Sequence, residues 1–296
     1  MKEKYTRTDL ACESLPMNRA ADSNDCGIDY SENEISGIRV CRLDIKSKAG
    51  EIESGKPIGT YITVFCGKIW EYGEEEFDLA AEVISSQIRT LASEMCERNS
   101  LPECVLIAGL GNREITADAL GPKTADSVTV TRHVRADAEL FKILGGCDIS
   151  AISPGVLGQT GIETLELIRG AAENVTPDVV IAVDALAARS CERLCNTVQL
   201  ASTGICPGSG IGNKRKAINH GTVGIPVMSL GVPTVVDSSS LVYDALQQAG
   251  IEQTDTRLAE ILENRRSFFV TPKESDVIID ELSRLLSSSL DLAFRR

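Results

Sequence analysis

Three short runs, CVLIAGL at 104–110, DVVIAVDAL at 178–186 and IPVMSLGV at 225–232, constrain the fold most. Each is almost wholly apolar. A strand wetted on one face alternates apolar and polar side chains; a strand that does not alternate must be covered on both faces, which is the condition of a parallel sheet. Between the runs the period changes. From Glu74, EEEFDLAAEVISSQIRTLASEMCERNS places Phe77, Ala80, Ala81, Ile84, Ile88, Leu91 and Met95 on one helical face, with its acids at the amino end where the helix dipole favours them. GIETLELIRGAAENV is a second helix ahead of DVVIAVDAL, Ser238 to Gln248 is a third, and Pro272 to Phe294 a fourth, with the proline suited to a first turn. Apolar strands alternating with amphipathic helices predict a three-layer α/β fold with a mostly parallel central sheet. Ahead of it, Ile35–Ile45 (ISGIRVCRLDI) and IGTYITVFC, ending at Cys66, read as two strands of a β-hairpin joined by a turn or loop over Lys46–Lys56. Residues 1–35 show neither period and read as a mobile arm.

Composition narrows the chemistry. The 296 residues carry 30 Lys and Arg against 43 Asp and Glu, a formal charge of −13. That opposes a direct electrostatic grip on nucleic acid. The two histidines, His133 and His220, exclude a three-histidine zinc site and any paired-histidine helix motif. Most of the ten cysteines sit in apolar runs, as Cys41, Cys66 and Cys104 do, and read as small buried hydrophobes. Cys191 and Cys195 lack a second pair at ligand spacing. MKEKYTRTDLACESL has no apolar core of a secretory signal, and no apolar run reaches the roughly 18 residues of a membrane span. The expectation is a reduced, cytoplasmic protein without membrane association, cofactor or metal, whose chemistry rests on carboxylates, Ser, Thr, Cys, Lys or backbone.

Open α/β sheets gather function beyond the carboxyl ends of their strands. That rule selects Gly111–Pro122, Asp184–Arg189 and the glycine-rich Ser202–Arg215. Gly109-Leu110-Gly111 lacks the third glycine of a dinucleotide fingerprint, because Glu114 stands there. Gly208-Ser209-Gly210-Ile211-Gly212-Asn213-Lys214-Arg215 has Asn213 and Arg215 where a phosphate loop needs Gly and Ser or Thr. Its glycines Gly208, Gly210 and Gly212 still permit close backbone approach, and their amides are candidates to stabilise an oxyanion. Arg189, Lys214 and Arg215 are candidates to hold an acidic group. Asp184 stands out, since a carboxylate ending an apolar strand is costly unless hydrogen-bonded or functional. Asp118 heads the same Asp-Ala-Leu tripeptide in the neighbouring loop. Two close carboxylates split their proton affinities, one staying protonated and the other acting as base, which permits hydrolysis without histidine, serine or metal. The alternative is that Asp118 caps a helix and Asp184 satisfies turn amides. Spacing alone does not choose between them.

Several stretches carry a resemblance that spans nearly the whole chain: Arg7–Ala11, GLGN with ITADALGP, VTRH, GQTGIET, DVVIAVDALAARS, STGICPGSGIGNKR, IPVMSLGVPTVVD and FFVTPKESD. In these the chain resembles the germination proteases of endospore-forming Firmicutes. The resemblance implies an atypical aspartic endopeptidase, a homotetramer in the spore core whose substrates are small acid-soluble spore proteins. It implies a zymogen that removes its own amino-terminal segment, and a fold like that of the hydrogenase maturation proteases. The family's two catalytic aspartates fall on Asp118 and Asp184. Family substrates are cut after an acidic residue and before a large apolar residue followed by alanine, a small residue and glutamate. Thr8-Asp9-Leu10-Ala11-Cys12-Glu13 has that form, which makes Asp9–Leu10 the expected autoprocessing bond, residues 1–9 the propeptide and residues 10–296 a single peptidase domain. Two positions depart from the family: Cys12 takes the small-residue place, and Ala117 stands where proline often precedes the first aspartate. The competing functions are a metal-dependent maturation-type peptidase and a non-catalytic oligomeric binding protein on the same scaffold.

Overall fold

The computed structural model describes residues 8–14, 27–96, 100–208, 215–251 and 268–295. Its strands form one sheet, in the order β1 (Ile28–Ile35), β2 (Ile38–Ile45), β3 (Gly59–Phe65), β7 (Val198–Ala201), β8 (Val227–Asp237), β6 (Val179–Ala188), β4 (Cys104–Gly109) and β5 (Asp148–Ile152), with β9 (Phe269–Val270) beside β8. The three apolar runs are β4, β6 and β8. With β5 they make the parallel centre of the sheet, and β7, β3, β2 and β1 extend it in antiparallel fashion.

Side-chain alternation sorts the two faces. Val105, Ile107, Val179, Ile181, Val183, Met228 and Leu230 point to one side, where α2 (Glu74–Met95) and α9 (Ser275–Phe294) cover them together with α3 (Leu120–Ser127). Leu106, Ala108, Val180, Ala182 and Val227 point to the other, where Leu165, Ile168 and Ala172 of α6 (Thr164–Val175) pack on them. The apolar stripe of α2 is the one expected, and Glu74, Glu75 and Glu76 fill its first turn. The expected helix over Ser238–Gln248 is α8. α1 (Lys48–Ser54), α4 (Ala138–Ile143), α5 (Leu157–Thr160) and α7 (His220–Val223) lie in connections.

Four expectations need correction. Residues 28–35 are no mobile arm: they form β1, paired with β2 from Ile28↔Ile45 to Ile35↔Ile38. Only Ile28 of this edge strand is buried, so no alternation betrays it. The reading of Ile35–Ile45 as one strand overlooked a turn at Ser36-Gly37, where both residues have positive φ (52° and 80°), the geometry that suits a two-residue hairpin. β2 and β3 do pair antiparallel, but their connection carries α1, capped by Ser47 accepting the Gly50 amide and closed by Gly55 at φ 65°. Pro272 precedes its helix, which begins at Ser275.

Candidate active site

Both aspartates sit where the parallel strands stop pairing. β4 ends opposite Val183, its Gly109 being the last partner of β6. β6 runs on past Asp184 to Ala188, so Asp184 lies inside its strand rather than at the end, at the first position freed from β4. The chain from β4 turns back over that gap. The Leu110 amide donates to the Val183 carbonyl (2.8 Å), and the 3-10 turn Thr116–Asp118 leads directly into α3. Gly121 makes the approach possible: a Cβ there would lie 2.3 Å from the Leu110 oxygen and 2.4 Å from the Val183 oxygen. Gly111, at φ 113°, leaves room for Asp118 in the same way.

The helix-capping alternative fails for Asp118. The residue at the start of α3 is Ala119, with no side-chain cap, and Asp118 Oδ2 instead accepts the Asn112 amide (2.7 Å). Asp184 Oδ1 accepts the amide of the next residue, Ala185 (2.9 Å). Asp184 is 6 % exposed and points to the same face as Val180 and Ala182. Burial raises its pKa well above the ordinary carboxylate value, and the charges of Asp118 and Asp9 push it further. Asp118 is half-buried. Burial raises its pKa as well, against the Asn112 hydrogen bond and the charge of Arg215. Burial is thus the first cause at both carboxyls, and it acts more strongly on the more deeply buried Asp184.

Residues 8–14 lie on the same face. The Asp9 amide donates to the Ala187 carbonyl (2.9 Å), and the Ala187 amide donates to Asp9 Oδ2 (2.9 Å). Leu10 is fully buried among Leu186, Ala188 and Val236, and Ala11 packs against Tyr61 and Ala201. The Ala11 amide donates to Gln199 Oε1, while Gln199 Nε2 donates to the Asp9 carbonyl (3.0 Å). Lys56 Nζ donates to the Asp9 carbonyl (2.9 Å) and the Thr8 carbonyl (3.1 Å). Glu13, buried, accepts the amides of Arg189 (2.8 Å) and Ser190 (3.0 Å) and pairs with Arg193 Nε (3.2 Å). The five residues Asp9 to Glu13, which end in the 3-10 turn Ala11–Glu13, are therefore held by both backbone and side chains, one carboxylate at each end.

The other sequence candidates divide. Arg215 is close enough to Asp118 to lower its pKa, and its buried Nη1 has no hydrogen-bond partner among the described residues. Arg189 contributes its backbone amide to Glu13. Gly208 is in a turn at φ 74°; Gly210, Gly212 and Lys214 lie outside the described residues. His133 and His220 are exposed. His220 borders a cavity of about 830 Å³ with Pro102, Glu103, Pro177 and Pro226, at the amino ends of β4, β6 and β8 and so away from the aspartates. Among the described residues no group of three or more His, Cys, Asp and Glu could hold a metal ion, and no helix is long and apolar enough to cross a membrane. Lys56, Gln199 and Arg193 escaped sequence reasoning. Only Gln199 left a signal, a polar residue within the apolar run of β7.

The buried Asp184 and the half-buried Asp118, near a peptide segment held on the same face, suit a protein that acts on polypeptide chains. The comparisons agree. The family described as germination protease matches residues 6–250. Germination proteases of Caldanaerobacter subterraneus subsp. tengcongensis and Clostridium acetobutylicum are 36% and 34% identical, each over 98% of this chain and 94% and 95% of their own. That of Clostridium perfringens strain ATCC 13124 is 36% identical over 98% and 95%. The chain belongs to the germination protease family and is a peptidase. Among solved structures, the [NiFe] hydrogenase maturation protease HycI from Thermococcus kodakarensis KOD1 is similar at a TM-score of 0.31 and 18% identity, covering 55% of this chain and 94% of that one.

Proposed function

We propose that this peptidase is an aspartic endopeptidase with Asp118 and Asp184 as its catalytic pair, made as a zymogen that cuts its own Asp9–Leu10 bond. The observation that carries the reading is the placement of Asp9: its backbone and carboxylate are bonded to Ala187, three residues along β6 from Asp184, and its charge bears on Asp184. In the first step ionised Asp118 takes a proton from water as the water oxygen bonds to the Asp9 carbonyl carbon. In the second, Asp184 gives its proton to the Leu10 nitrogen, the C–N bond breaks, and the products are a carboxyl group on Asp9 and an amine on Leu10. One proton is taken and one given, so the site needs no outside acid.

The contacts of residues 9–13 support the reading of the substrate class. An acidic residue, a large apolar one, alanine and, after one more residue, glutamate are what the Ala187 amide, the Leu186–Ala188–Val236 pocket, the Ala11 site and the Glu13 site hold here. We take small acid-soluble spore proteins as the substrates and the spore core as the place of action, with the enzyme a homotetramer. A charge of −13 fits a protein that attacks the partners of DNA and avoids the polyanion itself.

The test is self-processing of the full-length protein, with and without chelator, in the wild type and in Asp118→Asn and Asp184→Asn. Wild type should yield a chain starting at Leu10 in both conditions, and each variant should stay intact while folded. A new start elsewhere refutes the assigned bond, and full activity in either variant refutes the pair. Loss of wild-type processing in chelator would favour the metal-dependent alternative.

A further inference from the structure

We propose that Lys56 and Gln199 are the oxyanion-stabilising groups of this site, which rests on the reading of Asp9–Leu10 as the cleaved bond. Both donate to one atom, the Asp9 carbonyl oxygen, at 2.9 Å and 3.0 Å. That atom takes up negative charge when water adds to the carbonyl carbon. Donors already in place there cost no reorganisation as the charge develops.

The amide of Gln199 has its direction fixed. Its oxygen accepts the Ala11 amide, so its nitrogen must face the Asp9 carbonyl. Lys56 reaches the oxygen from the connection between α1 and β3, using a second hydrogen on the Thr8 carbonyl. An ammonium and an amide on one carbonyl oxygen are more than a docking segment requires, since the neighbouring Asp9 amide is already satisfied by Ala187.

Sheet register places Gln199 in the row of Asp184. Gln199 is paired with Gly231, and Gly231 with Asp184, so the three occupy one row across β7, β8 and β6. Strand spacing of about 4.8 Å puts roughly 10 Å between the backbones of Gln199 and Asp184. The middle position is glycine, and a Cβ there would lie 2.7 Å from the backbone carbonyl oxygen of Asp184 and 2.8 Å from Leu186 Cγ. The segment is tied to β6 through the Asp9 amide on Ala187 and to β7 through the Asp9 carbonyl on Gln199, so this peptide spans from β6 to β7 near the row that holds Asp184. The carbonyl oxygen faces Gln199 and Lys56, and the charge of Asp9 bears on Asp184.

The experiment compares self-processing rates of full-length wild type, Lys56→Met, Lys56→Arg and Gln199→Glu, with hydrogen exchange at the Leu10, Ala11 and Glu13 amides measured on each. Lys56→Met keeps the stem and removes the donor. Gln199→Glu keeps an acceptor for Ala11 and removes the donor to Asp9. Each should slow processing about 100- to 1,000-fold with the segment still protected, and Lys56→Arg should recover at least about tenfold of the loss. Rates within about threefold of wild type, or rates that fall only in step with lost protection, overturn the assignment and leave these residues as anchors. Should Lys56→Met fail to fold, Gln199→Glu and Lys56→Arg decide by the same criteria. The two readings fail differently. If wild type is cut at Asp9–Leu10 and the aspartate variants are not, normal rates in the Lys56 and Gln199 variants remove only the present assignment; if wild type is not cut there, both fall.

Discussion

Glu13 is the residue whose removal should release the segment at residues 8–14 from the groove. Its side chain is 1% exposed and pairs with Arg193, itself 18% exposed. It also accepts the Arg189 and Ser190 amides. Glu13→Ala leaves a largely buried guanidinium and two amides without their acceptor. Breaking a buried pair from one side costs about 3–5 kcal/mol. What remains to hold the segment is chiefly Leu10, whose burial contributes about 1.5–3 kcal/mol, together with the hydrogen bonds at Asp9 and Ala11. The loss matches or exceeds that apolar anchor, so the docked state should lose its dominance. At about 1.4 kcal/mol per tenfold, the docking equilibrium shifts by roughly two to four powers of ten. Hydrogen exchange at the Leu10 and Ala11 amides reads this directly: their protection should collapse toward that of an unstructured peptide, and self-processing should slow in proportion. Glu13→Gln keeps shape and one acceptor and loses the charge-assisted part, so its effect should be smaller, about 1–2 kcal/mol. If Glu13→Ala leaves the protection of Leu10 within about threefold of wild type, the carboxylate is not what holds the segment, and the apolar pocket is.

Two further outcomes follow from the site. The Asp184 pKa is raised by burial first, then by Asp118 and Asp9, so the native protein keeps a proton that the unfolded chain, titrating near about 4, has released. That contribution is complete below the unfolded value and is lost as pH rises through the native one. Asp184→Asn should therefore match wild type in acid and exceed it increasingly as pH rises above the ordinary carboxylate range, as read from urea midpoints; parallel profiles would contradict the buried neutral acid. Gly121→Ala would set a methyl 2.3–2.6 Å from Leu110 and Val183 backbone atoms. It should cost about 1–3 kcal/mol or more in denaturant titration and displace Asp118, and an unchanged midpoint would contradict the close approach of α3 to β4 and β6.

How much of this was legible in the sequence depended on where each signal arises. β4, β6 and β8 are buried on both faces, and burial writes itself into composition as an unbroken apolar run. α2 and α6 carry their stripes for the same reason. β1 is an edge with its side chains in water, and β5 is five residues long, so neither burial nor period marks them. The acids were legible because a carboxylate inside DVVIAVDAL is an energetic exception, and exceptions point to hydrogen bonding or function. Gln199 is an exception of the same kind, weaker because an amide is cheaper to bury than a carboxylate. Lys56 is not one. It sits in a polar connection rich in lysine, where a solvated ammonium is the ordinary outcome. It becomes distinctive only when carbonyls 47 and 48 residues earlier in the chain dock onto it. Local sequence records the cost of burying a group. It does not record a partner that arrives from elsewhere in the chain, and at this site the bonds that hold the Asp9 carbonyl are all of that second kind.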